Sequence, residues 1–279
     1  MPPPIALTIA GFDPSNGAGI TADLQTFAAH GLFGTSAITA LTVQSTWRVD
    51  YVEPVSEKLF LKTLYELRAD LPPAGIKIGM LATSEIVSQT ALFIQVVLSK
   101  TFDKSKIPIV LDPVILSSSG TPLLDAKGVR YLHDKLLDGV SWITPNWAEL
   151  AVLASRKVQF APDAEVALHV LGERYPHLHI VATGGDHGDQ PIDLLRTPDG
   201  EIHQFPGKRI DTTSTHGTGC AFSSALLSRL MLGDAPVAAV AAAKAFVEGA
   251  LRHAPGVGHG RGPMDLLWPL RHPPLSSEP

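Results

Sequence analysis

Short apolar runs alternate with segments whose apolar residues recur every three or four positions, along nearly the whole chain. Ile5 to Ala10 is an apolar run ended by Gly11, the pattern of a buried strand. From Ala18 to His30, Ile20, Leu24, Phe27 and Ala28 fall on one helical face, and Gly31 is a stop. Thr35 to Val43 predicts a second strand. A helix starts near Ser56, with Leu59, Phe60, Thr63, Leu64 and Leu67 on one face, and Pro72 and Pro73 end it. Ile76 to Ile78 is a brief strand, and Ser84 caps a helix to about Leu98. Ile109 to Leu111 is a strand closed by Asp112. Asp125 to Leu137 is helical, Trp142 to Thr144 a strand, and Asn146 to Ala154 a short helix. Asp163 to Tyr175 predicts a helix and Ile180 to Thr183 a strand. Asp199-Gly200 between Ile192 to Leu195 and Glu201 to Phe205 signals a hairpin. Lys208 to Thr212 has strand character. Gly217 to Leu232 and Pro236 to Arg252 are the last helices.

Strands alternating with helices imply βαβ units, hence an α/β fold with a mostly parallel sheet covered on both faces. No linker divides the chain, so residues 1–270 are expected to form one domain, with 271–279 a disordered Pro/Ser-rich tail. In such sheets ligands bind beyond the carboxyl ends of the strands. That rule selects Gly11-Phe12-Asp13, Gln44, Gly79-Met80, Asp112, Asn146 to Glu149 and Gly184-Gly185.

Composition narrows the class. Hydrophobic residues make up 45% of 279, enough for a large core. The net charge of −5, without a dense Lys/Arg run, argues against a nucleic-acid surface. The most apolar stretch, Ala235 to Leu251, is interrupted by Pro236, Lys244 and Glu248, and is shorter than the ~20 residues of a membrane span. Cys220 is the single cysteine, and the N-terminus does not read as a secretory signal, so a reducing, cytoplasmic setting is expected.

The candidate chemistry starts at Thr215-His216-Gly217-Thr218-Gly219-Cys220. Gly217 and Gly219 let the backbone approach a ligand, and the helix that follows presents free N–H groups, which together bind an anion such as phosphate. An ordinary glycine-rich helix start is the alternative. No Walker sequence occurs, so this is not a P-loop. Cys220 falls in the first helical turn, where its pKa is expected to be lowered, making it a candidate base. The alternative is a small buried apolar residue. Gly11 to Gly19 forms a second glycine-rich loop. Asp23, on the helix after it, either lines a pocket or faces solvent. Gln44 is able to bind a heterocycle's ring nitrogen and amino group, or to cap a loop. Asp112 and Glu149 suit a magnesium–nucleotide complex, their alternatives being a structural hydrogen bond and a helix cap. None of the eleven histidines has metal-site spacing.

Together these residues resemble the hydroxymethylpyrimidine/phosphomethylpyrimidine kinases of thiamine biosynthesis, in the ribokinase-like superfamily. The resemblance runs from about Ile5 to Pro263 and rests on the ordered set Gly11 to Ser15, Gly17 to Gly19, Ala22-Asp23, Thr39 to Leu41 with Gln44, Lys77 to Leu81, Leu111 to Val114, Thr144 to Asn146 with Glu149, Thr215 to Cys220, Gly258 to Gly260 and Gly262-Pro263. It implies a ribokinase-like fold with a small edge hairpin, ATP and Mg²⁺ as cofactors, two successive phosphorylations, and a homodimer. By resemblance, Gly11, Asp23, Gln44 and Met80 bind the pyrimidine. Cys220 is the base, and Gly217 and Gly219 form the anion hole. Asn146, Thr183, Gly185 and Thr218 serve the nucleotide, and Asp112 and Glu149 arrange Mg²⁺ partly through water.

Two departures stand out. Thr183-Gly184-Gly185 replaces a family Lys-Gly-Gly whose lysine reaches the ATP phosphates, so Mg²⁺, a backbone N–H or another cation must serve. Lys244 matches a recurrent family lysine and reads as structural. Asn16 and Phe12 stand where Gly and Ser are commonest. The nearest rival reading is a pyridoxal kinase on the same scaffold. A non-catalytic ligand-binding homologue is the other, supported by Thr183. Ser117 to Gly120 is a candidate lid.

Overall fold

The computed structural model describes residues 2–99, 107–116, 122–185 and 191–272. The candidate lid at 117–120 and positions 273–279 of the expected tail lie outside them. Arg271, placed in the tail by the sequence, instead ends a short helix and pairs with Asp265 at 3.0 Å.

Among the described residues, nine strands form one sheet in the order β3-β2-β1-β4-β5-β6-β7-β8-β9. They are β1 (Ile5–Phe12), β2 (Phe33–Gln44), β3 (Val49–Pro54), β4 (Gly75–Ile78), β5 (Ile109–Leu111), β6 (Trp142–Ile143), β7 (His179–Ala182), β8 (Ile192–Arg196) and β9 (Ile202–Pro206). The six strands β2, β1, β4, β5, β6 and β7 pair in parallel. The Asp199-Gly200 turn closes the expected antiparallel hairpin β8–β9 at one edge. At the other edge β3 runs antiparallel to β2, a strand the hydrophobic pattern did not reveal. The strand character of Lys208 to Thr212 is not realised; that stretch is irregular.

Alternation along the strands divides the core. Ile109, Leu111, Ile180, Ala182 and Leu194 face a layer formed by α2 (Glu57–Asp70), α3 (Ser84–Ser99), α4 (Ala126–Tyr131), α5 (Trp147–Leu153) and α6 (Ala161–Arg174). Val110, Val181 and Leu195, one position out of phase, face α1 (Gly19–Ala29), α7 (Thr218–Met231) and α8 (Pro236–Arg252). This two-sided burial is why the parallel strands read as near-continuous apolar runs. Helix starts follow local chemistry. Ser56 accepts from the Leu59 N–H and Asp125 from the Gly128 N–H. The start assigned to Ser84 is capped instead by Thr83, whose hydroxyl accepts from the Ile86 N–H at 3.3 Å. The helix expected from Asp125 to Leu137 is α only as far as Tyr131, then widens over Leu132–Leu136 and tightens over Leu137–Gly139.

Candidate active site

The residues at the carboxyl ends of β1, β2 and β5 meet the start of α7 through Asp13, Gln44 and Asp112, and part of the set selected from the sequence gathers there. The first group is built on Asp13, in the loop between β1 and α1. One of its oxygens accepts from the Ser15 N–H (2.8 Å) and hydroxyl (2.7 Å). The other accepts from the Gly17 N–H (3.2 Å), the Ala18 N–H (2.9 Å) and His216 Nε2 (2.8 Å). Burial raises the Asp13 pKa, but the hydrogen bonds from His216 and Ser15 outweigh it and hold the carboxyl below its ordinary value. Asn16, standing where the family commonly has glycine, takes φ +64°, a conformation asparagine tolerates better than most residues.

His216 brings the second glycine loop onto the first. Gly217 caps α7 at φ +79°, and a Cβ there would run into the carbonyl of Gly17. A Cβ on Gly17 would in turn strike the His216 imidazole. Gly217 therefore needs glycine for close approach as much as for conformation, and Gly17 needs it for close approach. Thr218, Gly219 and Cys220 form the first turn of α7, with Gly219 exposed and the other two partly so. Their N–H groups lack intrahelical acceptors, so this end of α7 is suited to an anion.

Cys220 departs from expectation. Its pKa is pushed up to about 12, by burial first and then by the charges of Asp112 and Asp23, against an opposing pull from Lys77 and the Gly19 N–H. The position at a helix start, expected to lower it, does not decide the matter. Asp112 lies near the Cys220 thiol, and its charge is among the causes that raise it. Asp112 accepts from Ser223 Oγ at 3.3 Å, and its own carboxyl is raised to about 6, chiefly by burial, with Lys77 opposing. Glu149 is raised to about 8, by burial and then by the charge of Asp112.

Glu149 is also the helix cap that the sequence offered as its alternative. It accepts from the Asn146 N–H at 3.0 Å while Asn146 Oδ1 accepts from the Glu149 N–H at 2.9 Å, a reciprocal capping box. Its second oxygen accepts from the Ile115 N–H at 3.3 Å. With both oxygens held by backbone, a cation here would meet Glu149 through water. Burial raises both acids, so a cation bound here would favour their ionised forms. Two carboxylates fit a hydrated Mg²⁺ that is also held by phosphates. Among the described residues no group of three or more His, Cys, Asp or Glu side chains that could hold a metal ion forms.

Asp23 requires a correction. It was expected to line the pyrimidine pocket, yet its side chain is fully buried. Both oxygens are consumed, by Thr8 Oγ1 (2.6 Å), Lys77 Nζ (3.0 Å) and Ser224 Oγ (2.7 Å). Asp23 supports the site from beneath and presents no free atom to a ligand. Lys77, to which the sequence reading gave no role, is its fully buried partner, kept charged because Asp23, Cys220 and Asp112 outweigh the cost of burial. The available signal was a lysine between Ile76 and Ile78 in a strand covered on both faces, which must be paired.

The heterocycle candidates lie beside the Asp13 group. Gly11 faces the buried thioether of Met80, and Thr39 Oγ1 donates to the Met80 carbonyl at 2.6 Å. Gln44, at the end of β2, meets His216 Nε2 at 2.9 Å. The nucleotide candidates form a separate group. Asn146 and Thr183 bridge β6 and β7, with the Thr183 N–H donating to the Pro145 carbonyl at 2.9 Å. Gly185 is exposed beyond them. Near the absent family lysine, the Gly184 N–H (2.9 Å) and Lys244 Nζ (2.6 Å) both donate to Asp193, so Lys244 is engaged structurally, as its sequence reading held.

A family model described as phosphomethylpyrimidine kinase matches residues 13–265. The chain belongs to that family. A hydroxymethylpyrimidine/phosphomethylpyrimidine kinase of Synechococcus elongatus is 37% identical over 97% of this chain and 100% of its own length. One from Haemophilus influenzae is 36% identical over 92% and 94%. Among solved structures, the Staphylococcus aureus pyridoxal kinase in complex with AMP-PCP and pyridoxal superposes with a TM-score of 0.85, 29% identity, and 97% and 96% coverage. A phosphomethylpyrimidine kinase of Clostridium difficile gives 0.73, 32%, and 88% and 98%. Phosphomethylpyrimidine kinases and pyridoxal kinases thus share this ribokinase-like α/β fold, with the edge hairpin where the sequence put it.

Proposed function

We propose that this chain transfers the γ-phosphoryl group of ATP to the hydroxymethyl group of 4-amino-5-hydroxymethyl-2-methylpyrimidine, and then phosphorylates the monophosphate to the diphosphate, in thiamine biosynthesis. The observation that carries this is the convergence of the α7 start, with Gly219 and Cys220, on Asp112, close to Gly11, Gln44 and Met80. The N–H groups of the first turn stabilise charge developing on the moving phosphoryl group. With a thiol pKa near 12, Cys220 does not wait as a thiolate. The substrate hydroxyl instead passes its proton to Cys220 Sγ as the thiol proton moves to Asp112. Thr218, Asn146, Thr183 and Gly185 line the nucleotide side. Asp112 and Glu149 would hold Mg²⁺, partly through water, and the bound ion would neutralise phosphate charge.

The kinase assay separates this from the pyridoxal reading, which the Staphylococcus aureus neighbour favours. We expect a higher kcat/KM for the hydroxymethylpyrimidine than for pyridoxal, activity abolished by EDTA and restored by Mg²⁺, and a diphosphate end product. The reverse ranking of substrates would establish pyridoxal kinase instead. Nucleotide binding without turnover of either would establish the non-catalytic reading.

A further inference from the structure

The hydrogen count around His216 does not close with the Gln44 nitrogen against the imidazole. The contacts to His216 Nε2 are 2.8 Å from Asp13 Oδ2 and 2.9 Å from the end of the Gln44 amide. Asp13 Oδ2 already accepts two backbone N–H groups and is ionised, so the proton between it and the imidazole sits on Nε2. This holds whether the ring is neutral or charged. An Nε2 that carries a proton has no lone pair for a Gln44 N–H, and two nitrogens in contact would set donor against donor. The other end of the amide shows the same conflict. Thr42 Oγ1 has one hydrogen, yet it lies 2.9 Å from the Phe12 carbonyl and 3.3 Å from Gln44 Oε1, both acceptors. Exchanging the amide oxygen and nitrogen resolves both, since their assignment follows from the network around them. The oxygen then shares the His216 proton, and the nitrogen donates to Thr42, whose hydrogen goes to Phe12.

We propose that His216 is a positioning residue for substrate choice, fixing the Gln44 amide with its oxygen against the imidazole and its nitrogen against Thr42. The orientation decides where the remaining N–H donor and oxygen lone pair of Gln44 are offered. A heterocycle with an amino group beside a ring nitrogen needs one donor and one acceptor in a set order. An amide free to rotate offers the reverse order part of the time, and a buried ligand atom is left unpaired. His216 is rigid because Asp13 holds its Nε2, its N–H donates to the Gly262 carbonyl at 3.1 Å, and its side chain is only 12% exposed. The amide is thereby set by the phosphate loop itself.

This inference rests on the heterocycle-kinase reading for its activity arm, and a second arm is independent of it. In the first arm, His216→Phe is expected to raise KM for the hydroxymethylpyrimidine about tenfold, the scale of one mispaired hydrogen bond. It should leave KM for ATP within about twofold and lower the preference over pyridoxal. His216→Gln, which returns an N–H near the same place, should recover most of the loss. Should the Phe variant not fold, Thr42→Val removes the amide's other anchor and should produce the same selective rise. Equal rises in both KM values, or no change in substrate preference, would overturn the proposal. In the second arm, ¹⁵N NMR of the imidazole should show Nε2 protonated. An unprotonated Nε2 would overturn the proposal even in a fully active enzyme. Inactivity of the wild type on both heterocycles would count against the function alone.

Discussion

At the scale of the residue, Cys220 shows how far local rules reach. Its place in the first turn of α7 was legible. Its acidity was not, because that depends on Asp112 and Asp23 arriving from other parts of the chain. A buried thiol beside two carboxylates titrates high whatever the helix contributes. Since it is the single cysteine, alkylation reports on it alone. With a pKa near 12, its reaction with iodoacetamide at pH 8 should be roughly 50-fold slower than that of free cysteine, after allowing for the greater nucleophilicity of a more basic thiolate. A rate near that of free cysteine would remove the raised pKa, and with it the need for Asp112 as the thiol's acceptor. Asp23 was misplaced for a related reason. Position within a helix does not say whether a carboxylate faces a cleft or a buried lysine.

At the scale of the element, the Lys77–Asp23 pair ties β4 to α1, while Thr8 and Ser224 draw β1 and α7 onto the same carboxylate. Four elements meet at one anion with no solvent access. Lys77→Met should cost about 3–5 kcal/mol, because it strands Asp23 as an unpaired buried charge. Lys77→Met with Asp23→Asn should regain more than half of that, since no uncompensated charge remains. Urea midpoints measure both, and a single variant as stable as wild type would show that Lys77 does not carry the pair. A second element-scale prediction concerns the end of β7. Thr183→Lys should lower KM for ATP by about tenfold, the scale of a charge-assisted hydrogen bond, if the nucleotide phosphates pass over this turn. An unchanged KM would place the phosphates elsewhere. The interior parallel strands and the helices were legible because burial on two sides writes long apolar runs. β3 was not, since Val49–Pro54 is an exposed edge carrying Asp50, Glu53 and Pro54.

At the scale of the whole molecule, β2 and β3 leave Leu41, Val43 and Tyr51 exposed, with Val43 directly opposite Tyr51. We propose that this face meets a second copy in the expected homodimer. Sedimentation should give a dimer for the wild type and a monomer for Val43→Glu with Tyr51→Glu; a dimer unaffected by both changes would place the interface elsewhere. The architecture was legible because alternation of strand and helix restricts the topology to a parallel sheet. The site was legible only at its backbone, where glycines mark the two loops. Its charge network joins residues too far apart in sequence for spacing to connect them.

The contact between Asp13 and His216 joins residues 203 apart in sequence, and it sets an order of events during synthesis. β1 precedes the imidazole that its loop closes on, so the loop stays open until His216 has emerged. Gly262, which holds the backbone of His216, emerges later still. A chain interrupted between β9 and His216 holds every described strand of the sheet, yet its Asp13 loop has nothing to close on.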